Sequence, residues 1–423
     1  MNKKSFLVAK KIARKLILLS AVVALVTVAC KKDNHASPVI KQVRLLDSTA
    51  RDSFFTKALP GTLVVIEGAN FEGLIAVTFN DQPAVINTAL NSGTNILARI
   101  SPNTPTPATY PGASNMLRIF TGHGQASYAF TVVPPGPSVT AASNENALPG
   151  QTITVTGSNL YSLSSIVFPG NISTTSFTVN ADATQVTVTV PAGVSTGDSL
   201  RLIGKYGTGA SNFVFDNFLA EKPGYLADFE CCGTYFGWQW WGGNKTDDAN
   251  LFPGPTGSYI EVHPVNTPIN AGDGSWYGDN RAVMVAASPW VDDVSNPIAS
   301  YALKFEVSVK TPWTTGSIFI HTTALQDDKS TWAYLAKYAP WQSASSGQFV
   351  TTGWQTVTIP LTQFLSTATG NSNYNSSGTP AANFTALMGG AASECDFMLY
   401  NDGKTPLTGF DAAFDNIRIV RIK

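Results

Sequence analysis

Charge is scarce in this chain: only 13% of its 423 residues are Asp, Glu, Lys or Arg, and only four are histidine and four cysteine. Two histidines, His263 and His321, lie beyond residue 218, which leaves little material there for Ser/His or metal–His catalysis. Beyond residue 218 no G-x-S-x-G, H-E-x-x-H or P-loop pattern occurs, so the motif-borne hydrolase and nucleotide-binding classes have no support there. Long Ala/Glu/Lys/Leu-rich periodic stretches are missing after residue 30, which argues against a helical bundle. Tryptophan is absent from Met1 to Gly237.

What is present fits short strands joined by tight turns. The chain has 43% hydrophobic residues, 35 Gly, 25 Pro and many Ser, Thr and Asn. That composition is globular, its length suits two to four domains, and its texture is all-β.

The N-terminus stands apart from the fold. Lys3, Lys4, Lys10, Lys11, Arg14 and Lys15 form a basic region before an apolar run from Leu16 to Val28. That run is short for a bilayer span and reads as an export signal. It ends in Val28-Ala29-Cys30, which resembles a bacterial lipobox although Thr27 stands where Leu is commoner. Cys30 is then the expected lipidation site, with residues 1–29 the signal and 30–37 a flexible linker; an ordinary signal peptide with a chance cysteine is the alternative. Lys31-Lys32-Asp33-Asn34 loosely resembles the charged tags that direct Bacteroidetes lipoproteins to the outer face of the outer membrane. From Cys30 onward there are 21 basic against 28 acidic residues, a net charge of −7. Nothing there resembles the basic stripe that nucleic acid requires, and a neutral-to-acidic surface suits an uncharged ligand.

With Cys30 set aside, Cys231, Cys232 and Cys395 remain, in a compartment that permits disulfides. Cys231 and Cys232 would point to opposite faces of a strand. One of them could bridge to Cys395 and leave a free thiol. No CxxC metal pattern is present.

Two segments align without a gap at an offset of 89 residues. Leu59-Pro60-Gly61 matches Leu148-Pro149-Gly150, and Ile66-Glu67-Gly68-Ala69-Asn70-Phe71 matches Val155-Thr156-Gly157-Ser158-Asn159-Leu160. Val77-Thr78-Phe79 matches Ile166-Val167-Phe168. Each Leu-Pro-Gly reads as a turn, each β-branched run as a strand and each Gly-x-Asn as another turn. Leu117-Arg118-Ile119 and Leu200-Arg201-Leu202 open similar closing strands. This pattern resembles the immunoglobulin-like IPT/TIG family in two copies, 38–134 and 135–217, each expected to be a sandwich of about seven strands. Pro134-Pro135-Gly136-Pro137 makes a stiff joint between them. The expected role of both is a spacer.

Beyond residue 218 the texture changes. Strand-like runs include Tyr259–Val262, Tyr301–Val309, Ser317–His321 and Phe414–Ile422, separated by loops rich in Gly, Asn, Pro and Trp. Residues 218–423 suit a larger jelly-roll-type β-sandwich. All nine tryptophans and nine of thirteen tyrosines fall here. Flat rings collected in one region suit sugars, whose axial C–H groups meet the negative face of a π-system. Trp354 begins a strand and is expected to pack on the sandwich, and at least one of Trp238, Trp240 and Trp241 to be buried. Trp276, Tyr277, Trp290, Trp313, Trp332 and Trp341 form the expected ligand-binding platform, with Asn280, Arg281, His321 and Gln342 as hydroxyl readers. Trp332 and Tyr334 would share one face if extended.

A lipoprotein signal, tandem IPT/TIG-like domains and a Trp-rich sandwich ending in Phe414-Asp415-Asn416-Ile417-Arg418-Ile419-Val420 together resemble the surface glycan-binding proteins of Bacteroidetes. Gly237-Trp238, Pro312-Trp313 and Trp354 with Ile359-Pro360-Leu361 look like that family's C-terminal xyloglucan-binding-type domain. The resemblance implies a non-catalytic, surface-facing outer-membrane lipoprotein. It would capture a neutral polysaccharide, of β-glucan or xyloglucan type or another, for a SusC/SusD-type importer. Two or three sugar stacks, less ordering costs, give an expected affinity of about 10–1000 μM.

No cofactor is required, but Asp228 and Glu230 open this domain and Asp411 and Asp415 close it, a set that could hold a structural Ca²⁺. Carboxylates solvated or paired with Arg418 are the alternative. Asp247, Asp248, Glu261, Asp292, Asp293, Glu306, Asp327 and Glu394 could supply the carboxylate pair of a glycoside hydrolase, though the adjacent pairs look like solvated turn residues. A third reading is an adhesion protein whose IPT/TIG repeats are the working part.

Overall fold

The computed structural model describes residues 36–47, 53–195, 197–215, 223–230, 244–254, 257–273, 280–322, 332–367 and 374–423. Among the described residues the chain is all-β apart from single helical turns, the longest being Phe384–Met388. Asn383 caps that turn by accepting from the Ala386 N–H, and Gly389 ends it with a φ of 73°. The chain divides into two compact units at Pro135–Gly136.

The first unit is a sandwich of two four-stranded sheets. One runs in the order Val39–Leu45, Leu63–Ala69, Asn95–Arg99, Val85–Ile86, and the other Gln82–Pro83, Leu74–Phe79, Met116–Thr121, Gly124–Ala129. The second unit opens with a sandwich of the same strand order: Ser138–Ala142, Thr152–Ser158, Gln185–Thr189, Phe177–Val179, facing Ile172–Thr174, Leu163–Phe168, Asp198–Gly204, Gly207–Phe215. The 89-residue offset places the repeat on the same pair of successive strands in both copies. Its core contacts repeat as well: Phe79 meets Phe130 edge-on at 5.2 Å, and Phe168 meets Phe215 edge-on at 5.2 Å.

The repeated glycines and asparagines have one physical reason in both copies. A Cβ at Gly68 would overlap the Val39 carbonyl oxygen across the sheet, and one at Gly157 the Ser138 carbonyl oxygen. Two residues on, Asn70 and Asn159 take left-handed φ values of 61° and 58°, which Asn tolerates better than other side-chain-bearing residues.

The rest of the second unit is the larger sandwich. Its first sheet runs Asn244–Thr246, Tyr259–Val262, Ala412–Arg421, Tyr301–Val309, Gln355–Pro360, with Tyr225–Ala227 also paired to Ala412–Arg421. Its second sheet runs Ala282–Pro289, Ala392–Tyr400, Ser317–His321, Tyr334–Tyr338, Leu365–Ser366. Leu303, Phe305, Val307, Ile318, Ile320, Phe397, Leu399 and Phe414 fill the space between them. Cys395 joins this core as a wholly buried free thiol, so the bridge that the sequence allowed to it is not formed. Alternation along the Ala392–Tyr400 strand turns Cys395 inward among apolar groups. Cys231 and Cys232 lie outside the described residues, as does Cys30.

The Tyr301–Val309 strand is buried on both faces. Leu303, Phe305, Val307 and Val309 face the core, while Lys304 and Glu306 face the preceding sandwich. There Glu145, 2% exposed, meets Lys304 and Arg418. Arg418 binds Glu306 bidentately, Nη1 to Oε2 at 2.7 Å and Nη2 to Oε1 at 3.0 Å, and reaches Glu145 Oε2 at 3.0 Å. Thr356 adds two backbone links: its N–H donates to the Ser143 carbonyl at 2.9 Å, and its hydroxyl accepts from the Glu145 N–H at 2.8 Å. Two acids and two bases balance, so the desolvated charges are fully paired. The second IPT/TIG-like sandwich is thereby fixed to the middle of the six-stranded sheet's outer face.

Candidate functional site

With one outer face of the large sandwich taken by its neighbour, the outer face of the five-stranded sheet is the broad surface left to it. Strand alternation assigns that face. Ala282 and Met284 lie on it from the first strand, and Asp396, Met398 and Tyr400 from the second. Ser317, Phe319 and His321 lie on it from the third, and Leu335 and Lys337 from the fourth. The register makes rows of these: Ala282, Met398, Phe319 and Lys337 stand side by side, and Ser317 stands opposite Tyr400. Ala282, Met284, Phe319, Trp332, Leu335 and Met398 form an apolar cluster separate from the central core, against which Tyr374 and Tyr400 pack while half-buried.

The rings of this layer are arranged in parallel. Phe319 and Tyr400 stack with centroids 4.9 Å apart and planes 15° apart, and His321 stacks on Trp332 at 3.9 Å and 16°. Tyr374 leans against Phe319 at 6.4 Å. A polar rim adjoins the tyrosines. Lys337 Nζ donates to Asp402 Oδ2 at 2.7 Å and lies 5.7 Å above the Tyr374 ring, while the Ser317 hydroxyl donates to Asp402 Oδ1 at 2.7 Å. The Tyr400 hydroxyl donates to the Gly272 carbonyl at 3.2 Å. Burial, with Asp402 and Asp273 nearby, raises its pKa, so it remains a neutral donor. Arg281 ion-pairs with Asp273 at 3.3 Å beside this rim. Half-exposed tyrosine faces bordered by an ammonium, a guanidinium and two carboxylates can stack a sugar ring and bind its hydroxyls.

The expected platform is distributed differently. Trp290 and Trp313 are core residues, 1% and 0% exposed, and their indole N–H groups are used internally, by the Ser393 carbonyl at 3.1 Å and the Thr315 carbonyl at 2.8 Å. Trp313 follows Pro312 after the Tyr301–Val309 strand, where it bridges to Phe349 and meets Phe410 edge-on at 5.0 Å. Trp332 is buried in the outer cluster, and Tyr334 packs on the central core instead, because the regular strand begins only at Tyr334. Trp341 is half-buried on a short 3₁₀ turn, donating to the Gly316 carbonyl at 2.8 Å. Trp276 and Tyr277 lie outside the described residues, as do Trp238, Trp240 and Trp241. Trp354 packs, as expected, in a small cluster with Phe252 and Tyr259. Of the expected hydroxyl readers, Arg281 sits by the rim, His321 is buried under Trp332, and Gln342 is exposed beside Trp341. Tyr374 and Tyr400 are not among the expected platform residues; the Met398-Leu399-Tyr400 alternation is the sequence signal that places Tyr400 on this face.

The four carboxylates expected to share a cation do not come together. Asp228, Glu230 and Asp415 gather at one place. Burial, then Glu230, Glu306 and Asp228, holds Asp415 well above the usual carboxylate range. Desolvation of the Glu230 carboxyl, which lies against Gly257 and Ser258, and then Asp228, push Glu230 up to about 7. Asp411 precedes the last strand and lies instead with Glu261, His263 and Lys310. Of the carboxylates weighed for hydrolysis, Asp248 accepts from the Asn250 N–H and Asp293 from the Ser295 N–H, both as turn residues. Glu306 is committed to Arg418, and Asp327 lies outside the described residues.

Residues 219–421 match the family model of the surface glycan-binding protein B xyloglucan binding domain. A curated IPT/TIG domain-containing protein of Bacteroides ovatus is 31% identical over 182 residues, 40% of this chain and 37% of that protein, so the alignment spans little more than a third of the relative's length. Among solved structures, the surface glycan-binding protein PbSGBP-B from Prevotella bryantii is similar in fold, with a TM-score of 0.60 at 22% identity, covering 92% of this chain and 99% of that one. Residues 219–421, set behind sandwiches that resemble IPT/TIG domains, are therefore similar to the surface glycan-binding protein B xyloglucan-binding domain family.

Proposed function

We propose that this protein binds a neutral β-glucan of xyloglucan type at the cell surface, without cleaving it. The half-exposed Tyr374 and Tyr400 on the outer face of the five-stranded sheet would make the contact. The match of residues 219–421 to a xyloglucan-binding family carries the reading, and the parallel aromatic layer with its polar rim supports it. Trp276 and Tyr277 remain in the proposed platform because they lie within five residues of the rim residues Gly272 and Asp273 in the chain. Lipid attachment at Cys30, exposure on the outer membrane and delivery to a SusC/SusD-type importer complete the proposal, on the strength of the lipobox-like sequence and the family. One weak site suits such a surface, where many copies hold one long polymer by effective concentration.

Affinity gel electrophoresis of the chain from residue 31 onward tests this. Retardation by xyloglucan or mixed-linkage glucan, with no reducing ends released on long incubation, is the expected result. No retardation by a broad panel of neutral polysaccharides would sink the binding claim, and release of reducing ends would sink the non-catalytic one.

A further inference from the structure

We propose that Glu261, His263 and Asp411 bind one divalent transition-metal ion of the zinc class. The strand Tyr259–Val262 pairs antiparallel with the last strand, Val262 opposite Ala412 and Glu261 opposite Ala413. One step further along that register, His263 stands opposite Asp411. Glu261 and His263 are two residues apart, so extended backbone sends both side chains to one face. A ligand atom of each of the three residues lies within 4.8 Å of the others.

Asp411 is the observation that asks for a ligand. It is only 5% exposed, its Oδ1 has no N–H or hydroxyl donor, and its carboxyl lies within hydrogen-bond reach of the Glu261 carboxyl. The nearest cationic partner of that oxygen is the His263 ring, with Nδ1 at 3.5 Å, too far for a good hydrogen bond. That spacing is the one a shared ion sets. Two ligands bound at about 2.1 Å with a tetrahedral angle between them stand about 3.4 Å apart. A buried carboxylate oxygen without a donor is costly, and a cation between it and the imidazole would offset that cost.

The donor set selects the ion. Calcium takes six to eight oxygens, whereas one imidazole with two carboxylates is a ligand set of zinc-class ions. Three protein ligands leave one position for water. His263 is half-exposed, so the site opens to solvent. Lys310 is the cation facing it from the neighbouring strand's end, 3.5 Å from Asp411 Oδ2, and its half-exposed ammonium can turn outward. The ion would tie the start of the segment after His263 to the end of the segment before Asp411. These two already meet through paired backbone hydrogen bonds of 2.9 Å between Ile269 and Leu407.

Isothermal titration of the chelator-treated chain with ZnCl₂, and separately with CaCl₂, tests the site, with thermal denaturation as a second readout. The expected result is saturable uptake of a zinc equivalent that raises the melting temperature and that calcium does not reproduce. His263→Ala, at a half-exposed position, and Glu261→Gln should retain the fold by circular dichroism and weaken that equivalent by at least about tenfold, since even indirect supports of a metal site are worth this much. No saturable zinc uptake would overturn the proposal. So would equal uptake by His263→Ala, which would place the ion elsewhere.

Discussion

Arg418 and Glu145 stand 3.0 Å apart, Nη2 to Oε2, across 273 positions of sequence, and each side chain is 3% exposed. This contact joins two sandwiches into one unit. Burial by itself would lower the Arg418 pKa, but Glu306 and Glu145 outweigh it and raise it, so the guanidinium stays charged throughout the accessible pH range. Replacing Arg418 by Met leaves two buried carboxylates without their shared partner. We expect a loss of about 3–5 kcal/mol, read from the urea midpoint. A loss below about 1 kcal/mol would mean that water reaches the network and that the junction is looser than its geometry.

Glu230 gives a pH dependence with a definite sign. Its carboxyl titrates near 7 in the folded chain against 4.5 as the ordinary value, so between these pH values the folded state holds more protons than the unfolded one. The stabilisation from this group is therefore complete below pH 4.5 and is lost as pH rises to 7. Melting temperatures of Glu230→Gln should decline less over that window than those of the parent chain. Identical profiles would remove Glu230 as the source.

The aromatic assignments predict two kinds of variant. Tyr400→Ala should weaken glycan retardation by about 1–3 kcal/mol, the value of one stacking contact, with the fold retained by circular dichroism. Trp313→Ala should cost about 3–5 kcal/mol of stability as a core truncation, whatever its effect on binding. A Tyr400→Ala protein that binds glycan normally would move the platform off this face.

Gly157→Ala places a methyl group onto the Ser138 carbonyl oxygen, and Gly68→Ala repeats the clash on Val39. Each should destabilise its own sandwich by about 1–3 kcal/mol, measured by limited proteolysis and thermal denaturation. Unchanged stability in both would show that the paired strands can shift apart without cost.

Cys395 should not react with thiol reagents in the folded protein. Burial, and next to it Asp396, raises its thiol well above the ordinary range, and its side chain is enclosed by the core. Peptide mapping after iodoacetamide treatment at pH 8 should find Cys395 modified only in denaturant.

The sequence by itself determined the local architecture. Leu-Pro-Gly and Gly-x-Asn specified turns because glycine and asparagine reach backbone conformations that other residues enter at a cost. β-branched runs between them specified strands, and repetition of both gave two like sandwiches. The tryptophan-rich texture marked the C-terminal domain as different. Tertiary structure decided what each large ring does there. Trp290 and Trp313 sit in loop-like sequence, yet their indole N–H groups are bound by carbonyls that the fold supplies, so they are core and not surface. Asp411 was separated from Asp228, Glu230 and Asp415 because position along a strand and the pairing of its neighbours, rather than nearness to a terminus, set which groups meet. The choice of open face was decided by Glu145, 273 residues from Arg418, since burial depends on partners distant in sequence that no local pattern names.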